Sequence, residues 1–287
     1  MNKGVLLFAH NSEKLDYGTM AIVAGGLAKK NLGVPVSLVT DKHTINWLKK
    51  SNTLTQAEDI FDQIIIEDLP KTENKRFIYD GDEKELVPFR NTNRSNAWNL
   101  TPYDRTLLID CDYFILSNNY SEYWDLNSDL LMPESVFDIS NQDRLGYHDM
   151  YISDTSVKMH WATAIMFTKN KKTKVFFDLV DYIQDEYDFF SDLFRFNTPN
   201  FRNDIAFSIA KHIFYGFSQE LTYCLPPLVT AMDKDILYDI DAGQKLLFLV
   251  KDKLNDQYYA AALKQQDVHI MNKQSIVRNI DKFLEIV

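Results

Sequence analysis

LLIDCDYFI (residues 107–115) decides how this chain reads. A short apolar run, 106–109, ends in Asp110, and Asp112 follows two positions later. A four-residue run, three of it apolar, reads as a strand buried on both faces, the kind a parallel sheet makes. Carboxylates placed i and i+2 at the end of such a strand face the same side and leave the core together. They can then share one hard cation. Oxygen ligands suit Mg²⁺ or Mn²⁺, which in turn bridge a diphosphate. The plain alternative is a solvated strand end, where acidic residues are common.

The chain before this stretch alternates strand and helix. GVLLFAHN (4–11) is an apolar strand ending in polar residues. Residues 16–32 read as a helix, with Met20, Val23, Ala24 and Leu27 on one face and Gly33 as its stop. Residues 35–39 and 63–66 read as further strands around a short helix at 44–50. This βαβαβ order implies a parallel sheet covered by helices. Residues 67–95, broken by Pro70, Gly81 and Pro88, read as a long surface excursion.

After the DxD stretch, 130–132 and 162–167 read as strands, and 133–160 as a long, polar and aromatic loop. Loops of that length in a compact domain are often functional. Residues 173–190 and 203–214 read as amphipathic helices, 246–250 and 268–271 as late strands, and 275–287 as a closing helix. One domain is expected. Its 1–115 half would bind a nucleotide, and its 116–287 half would hold sugar and acceptor and return a C-terminal segment to the site.

Composition is that of an ordinary globular enzyme, 45% hydrophobic and 25% charged. No apolar run approaches the ~20 residues that span a bilayer. The N-terminus lacks the pattern of a secretory signal. A cytosolic location without stable membrane insertion is expected. Cys111 and Cys224 both lie in apolar runs and read as reduced, half-buried thiols. With 31 basic and 41 acidic residues the net charge is -10, unlike a general nucleic-acid binder. No GxGxxG, P-loop, GxSxG or HExxH is present.

TPYDRTLLIDCDYFI (101–115) resembles the segment "sPYdrtLfLDaDtlv" of GT-A glycosyltransferases, notably glycosyltransferase family 8. The resemblance implies a GT-A fold, a Rossmann-like α/β domain whose mixed, mostly parallel sheet is flanked by helices. It implies that Asp110 touches the donor ribose or the metal and that Asp112 is a direct metal ligand with a catalytic role. VHIMNK (268–273) resembles the late "iHf.g..KPW" element, which nominates His269 as the third metal ligand and Lys273 as a diphosphate ligand. The Gly and the Pro-Trp of that element are missing here. An imidazole in the set favours Mn²⁺ over Mg²⁺.

The same resemblance places His10, Asn11 and Tyr17 beside the base and ribose, Asp41 near the base, and Arg94 at the donor phosphate or sugar. KMHWATAIMFTKN (158–170) resembles the "nsGvmlfn" strand that lines the sugar pocket, with Trp161-Ala162-Thr163 in place of Asn-Ser-Gly. FRNDIAFSIA (201–210) resembles "..DQ.alniAl", which places Asp204 near the transferred sugar, with Ile205 in place of Gln. Each of these residues also has a plain structural reading, such as a helix cap for Asp204.

The donor implied is a nucleotide-sugar, in first place a UDP-sugar. Family 8 resemblance implies retention of anomeric configuration. For the acceptor, the chain is similar to small glycosyltransferases of tailed phages, including those that modify 5-hydroxymethylcytosine in DNA; such an enzyme would work in the host cytoplasm. Lys169, Lys171, Lys172 and Lys174 form a basic cluster that could track phosphates. A cell-surface glycan or lipid-linked acceptor is the alternative, and a non-catalytic nucleotide-sugar-binding module a third.

Overall fold

The structure is a computed structural model. It describes every residue except 68–73, 141–143, 199 and 218–223, and omits the side chains of 147 and 148. The first unit is the expected alternation. Strand β1 (Lys3–Phe8) leads to helix α1 (Tyr17–Leu32), then to β2 (Val36–Thr40), α2 (Lys42–Lys50), α3 (Leu54–Ile60) and β3 (Gln63–Ile66). Helix α1 starts where the Asp16 carboxylate accepts from the Thr19 amide. It ends at Gly33, whose φ of 64° closes the last turn. From Val5 to Phe8 β1 is almost fully buried, each side chain contributing about 1.5–3 kcal/mol of gross burial.

The charged 67–95 stretch contains a hairpin that the sequence reading missed. Strands β4 (Lys75–Asp80) and β5 (Glu83–Pro88) pair antiparallel from Lys75↔Pro88 to Asp80↔Glu83. Gly81, at a φ of 62°, makes the tight turn. A short helix α4 (Ala97–Leu100) then delivers the chain to β6 (Arg105–Ile109).

Beyond β6 lie β7 (Tyr113–Phe114), β8 (Leu130–Leu131), β9 (Val136–Asp138), the turn of helix α5 (Tyr147–Met150) and β10 (Ala164–Thr168). The central sheet has the order β3-β2-β1-β6-β10-β8. Its β3, β2, β1 and β6 are mutually parallel, and β10 runs antiparallel to both neighbours. The mixed, mostly parallel sheet flanked by helices is therefore present. The 133–160 segment is not wholly loop, since it holds β9 and α5.

Helix α6 (Lys171–Asp185) starts on an Asn170–Thr173 capping box. The helix expected over 173–190 breaks at Glu186 (φ -105°, ψ 34°), and α7 (Tyr187–Phe194) continues in a new direction that buries Phe190 and Phe194. Helix α8 (Asn203–Phe214) is followed by β11 (Leu228–Ala231), β12 (Ile236–Ile240), β13 (Lys245–Lys251), β14 (Tyr258–Lys264) and β15 (Val268–Ile270). Strands β12, β13 and β14 form an antiparallel meander of which only β13 was expected. The closing helix is two pieces, α9 (Lys273–Arg278) and α10 (Ile280–Leu284), split at Asn279, whose side-chain amide donates to Leu237 O and Ser275 O.

A second sheet, β7-β15-β11-β9, positions the site. Strand β15 runs antiparallel to β7 and parallel to β11, with His269 opposite Tyr113 and Thr230. The last tenth of the chain is thereby laid beside Asp112. Of the two thiols, Cys111 is buried and Cys224 exposed, so neither is half-buried as expected. No helix among the described residues is long and apolar enough to cross a membrane.

Candidate functional site

Asp110 is the first residue past β6, and its amide donates to Thr163 O (3.0 Å). The chain then turns at once, with Tyr113 N donating to Asp110 O (3.2 Å). A turn, rather than strand alternation, brings the two carboxylates to one place. Ile270 N donates to Asp112 O (2.9 Å), which pins β15 and its His269 to that turn. Asp110, Asp112 and His269 each offer one ligand atom, all within 4.8 Å of one another.

Cations surround this triad. Lys273, buried at the start of α9, forms an ion pair with Asp112 Oδ2. His269 Nε2 lies 3.5 Å from Asp112 Oδ1. Arg94 Nη1 lies 2.8 Å from Asp110 Oδ1. Burial alone would raise the Asp112 carboxyl, but Lys273 and His269 overcome it and hold the group well below the usual range. Burial raises Asp110, against the pull of Arg94 and with the push of Asp112. Burial and both carboxylates push the Cys111 thiol well up.

Two carboxylates and one imidazole form a donor set suited to a divalent ion of the Mn²⁺ or Mg²⁺ class. Three buried nitrogens here have no hydrogen-bond partner among the described residues: His269 Nδ1, Arg94 Nε and Arg94 Nη2. Orphaned buried donors are costly unless something else satisfies them. The residues present therefore fit a metal and an anionic ligand.

The triad lies in a cavity of about 480 Å³. Of the residues nominated from sequence, Tyr17, Arg94, Asp110, Asp112, Asp204, His269 and Lys273 line it, as do Trp161, Ala162 and Thr163. The Trp161 ring stands edge-on to His269, with centroids 5.9 Å apart. Asp204 pairs with Arg202, whose Nε is 3.0 Å from Oδ1. Burial raises the Asp204 carboxyl, and Arg202 more than reverses that. Asp204 lies inside the first turn of α8, and the cap position before it is Arg202.

Three nominated residues do not line the cavity. Asn11 is used at both ends by the fold, its Nδ2 donating to Asp16 Oδ1 (3.0 Å) and its Oδ1 accepting from Gly18 N (2.7 Å). Asp41 caps α2, accepting from Thr44 N (2.7 Å). His10 stands one residue behind the wall, its Nδ1 2.5 Å from Oδ1 of the lining residue Asn91. The lysine cluster is also outside. Lys172 pairs with Asp129 (3.3 Å), Lys174 with Asp178, and Lys169 donates to Thr101 O (2.9 Å).

Sequence reading missed Arg76, Asp149 and Asp233, which also line the cavity. Burial raises the Asp233 carboxyl against the pull of Lys273, Arg76 and His269. None of the three sits in a motif. The Asp80-Gly81 turn signal was the one cue to the hairpin that carries Arg76.

No family model and no curated protein matches the chain. Among solved structures it is similar to the glycosyltransferase GlyE of Streptococcus pneumoniae TIGR4, at 12% identity and a TM-score of 0.43, over 78% of this chain and 46% of that one. An active-site mutant of LgtC aligns at 11% identity and a TM-score of 0.42, over 71% of this chain and 69% of that one. The PaToxG glycosyltransferase aligns at 12% identity and a TM-score of 0.38, over 74% and 69%. This chain spans about half the length of GlyE.

Proposed function

We propose that this chain is a metal-dependent glycosyltransferase. It would move a sugar from a nucleotide-sugar, in first place a UDP-sugar, to a hydroxyl acceptor. The observation that carries this reading is the convergence of Asp110, Asp112 and His269, with Lys273 and Arg94 beside them, in one cavity at the carboxyl end of β6. Ligands at the carboxyl ends of parallel strands are the general rule for open α/β sheets.

Asp110, Asp112 and His269 would hold the ion, with the imidazole favouring Mn²⁺. A divalent ion there neutralises charge on the departing diphosphate. Lys273 and the two orphaned nitrogens of Arg94 would take up the remaining phosphate oxygens, since their charge is already desolvated. Asp204, fixed by Arg202, would face the sugar, and Trp161, Ala162 and Thr163 would line its pocket. In the transfer, the bond from sugar C1 to the diphosphate oxygen breaks and one to the acceptor oxygen forms. The acceptor proton ends on the nucleoside diphosphate or in solvent. The 1–115 half supplies the carboxylate turn, and the 116–287 half the sugar wall and the third ligand.

Asp112→Asn keeps the shape of the turn and removes a carboxylate charge. Metal-dependent hydrolysis of UDP-sugar should fall by about a hundredfold or more. Undiminished hydrolysis by that variant with Mn²⁺ present would sink the assignment. For the acceptor, 5-hydroxymethylcytosine in phage DNA is the proposal, tested with a panel of UDP-sugars. The DNA is digested to nucleosides and weighed by mass spectrometry. Transfer to an oligosaccharide with no nucleoside adduct would reassign the acceptor to a glycan.

A further inference from the structure

The β4–β5 hairpin has no part in the triad, yet it forms one wall of the cavity. Along β4, Arg76 shares a face with Ile78, which is buried, while Phe77 between them is half exposed. The Arg76 side chain lines the cavity, as do Lys75, Phe77 and Tyr79 of the same strand. The carboxylates it senses include Asp112, Asp110, Asp233 and Asp204 at the site, and the neutral Tyr17 phenol lies within its reach. Among the described residues no carboxylate oxygen lies within 4.0 Å of the Arg76 guanidinium, unlike Arg94 and Arg202, which both hold partners. The Phe89 ring, just past the end of β5, lies 4.7 Å from the Arg76 Cζ. Stacking of this kind fixes the plane of a guanidinium and leaves its N–H edges open to a ligand.

The hairpin is also held in place at its far end. Asp80 pairs with Arg278, and Asp82 with Lys234 and Lys251 at 2.9 Å each. At its base, Asn74 Nδ2 donates to Phe201 O (3.0 Å). Arg76 is therefore presented on an anchored element rather than a free loop, which lowers the ordering cost of binding. The charged side chains lining the cavity balance, with Lys75, Arg76, Arg94, Arg202 and Lys273 against Asp110, Asp112, Asp149, Asp204 and Asp233. A divalent ion added to the triad would leave the cavity positive, which suits a ligand of several negative charges.

We propose that Arg76 is a diphosphate-binding residue of this site, contacting the phosphate remote from the nucleoside, and that the β4–β5 hairpin forms the wall over the leaving group. The inference rests on the glycosyl-transfer reading. A planar fork directed at phosphate oxygens makes paired, charge-assisted hydrogen bonds that a lysine cannot reproduce in full.

The test is calorimetric titration of the native chain and of Arg76→Met and Arg76→Lys with UDP, UMP and inorganic pyrophosphate, all with Mn²⁺. Thermal melts check that each variant is folded. Arg76→Met should weaken UDP and pyrophosphate by about tenfold or more and change UMP by less than about threefold. Arg76→Lys should fall between. Equal losses for UDP and UMP, or unchanged UDP affinity, would overturn the inference while leaving the glycosyl-transfer reading standing. A native chain that binds neither UDP nor pyrophosphate would overturn both. If Arg76→Met fails to fold, Arg76→Lys decides alone, and UDP affinity within twofold of native in that variant counts against the inference.

Discussion

Outside the cavity, His160 shows how a buried imidazole weakens this fold in acid. Lys211 Nζ lies 3.3 Å from its Nδ1, and an ammonium only donates, so that nitrogen carries a lone pair. Burial, then Lys211 and His212, hold the imidazole down at about 2, against 6.5 in the unfolded chain. A depressed folded value means stability is complete above 6.5 and is lost as pH falls toward 2. The slope is about 1.4 kcal/mol per pH unit for each such proton. His10 and His212 are lowered as well, chiefly by burial, and act in the same direction. The urea midpoint should therefore drop between pH 7.5 and 5.5, and less so in His160→Gln. A midpoint that is flat over that window would mean these rings are charged in the folded protein.

Among the elements, α1 is packed by absence of side chains. A Cβ at Gly25 would meet the Phe61 ring at 2.6 Å, and one at Gly26 would meet Val287 Cβ at 2.6 Å. Helix α1 approaches α3 on one side and the chain end on the other only because both positions are bare. Gly25→Leu should destabilise by about 1–3 kcal/mol, read as a lower urea midpoint with unchanged m-value. The first βαβαβ unit was legible because its apolar runs are continuous and its stop signals, Asp16 and Gly33, are chemical. The hairpin was not legible, because half of KRFIYD and EKELVP is charged and only one face, Ile78 and Val87, is buried. Of the meander only β13 was legible, since β14, YYAAALK, has no buried position and no large apolar side chain at its centre. At the site, Asp110, Asp112, Asp204, His269 and Lys273 stand in motifs and could be nominated, and all five line one cavity. Arg76, Asp149 and Asp233 could not, since their place depends on how distant elements fold back.

At the scale of the whole molecule, the triad joins distant parts of the chain. Asp110 and Asp112 precede β7, whereas His269 lies within the last 20 residues. An ion held by all three would bind the folded state and not the unfolded one. Mn²⁺ at a hundred times its dissociation constant should add about 2.7 kcal/mol, seen as a rise in Tm that a chelator reverses. Asp112→Asn should lose that rise. A Tm indifferent to Mn²⁺ in the native chain would mean that the three ligands do not act together. The net charge of -10 works the other way for DNA, because it gives a polyanion no long-range attraction. A DNA acceptor would then be recognised through an extruded base rather than through the phosphate backbone.

The contrast between the two cysteines makes the molecule its own stopwatch. Cys224 is open to solvent, and Cys111 is buried between the two aspartates in the cavity lining, its thiol held protonated. A maleimide should tag the first at once and the second slowly, as the carboxylate turn loosens. The lag between the two tags, followed by intact mass, times how often the heart of the cavity breathes. Ligands that settle there should stretch the lag. Simultaneous tagging of both thiols would show that the turn is frayed at rest.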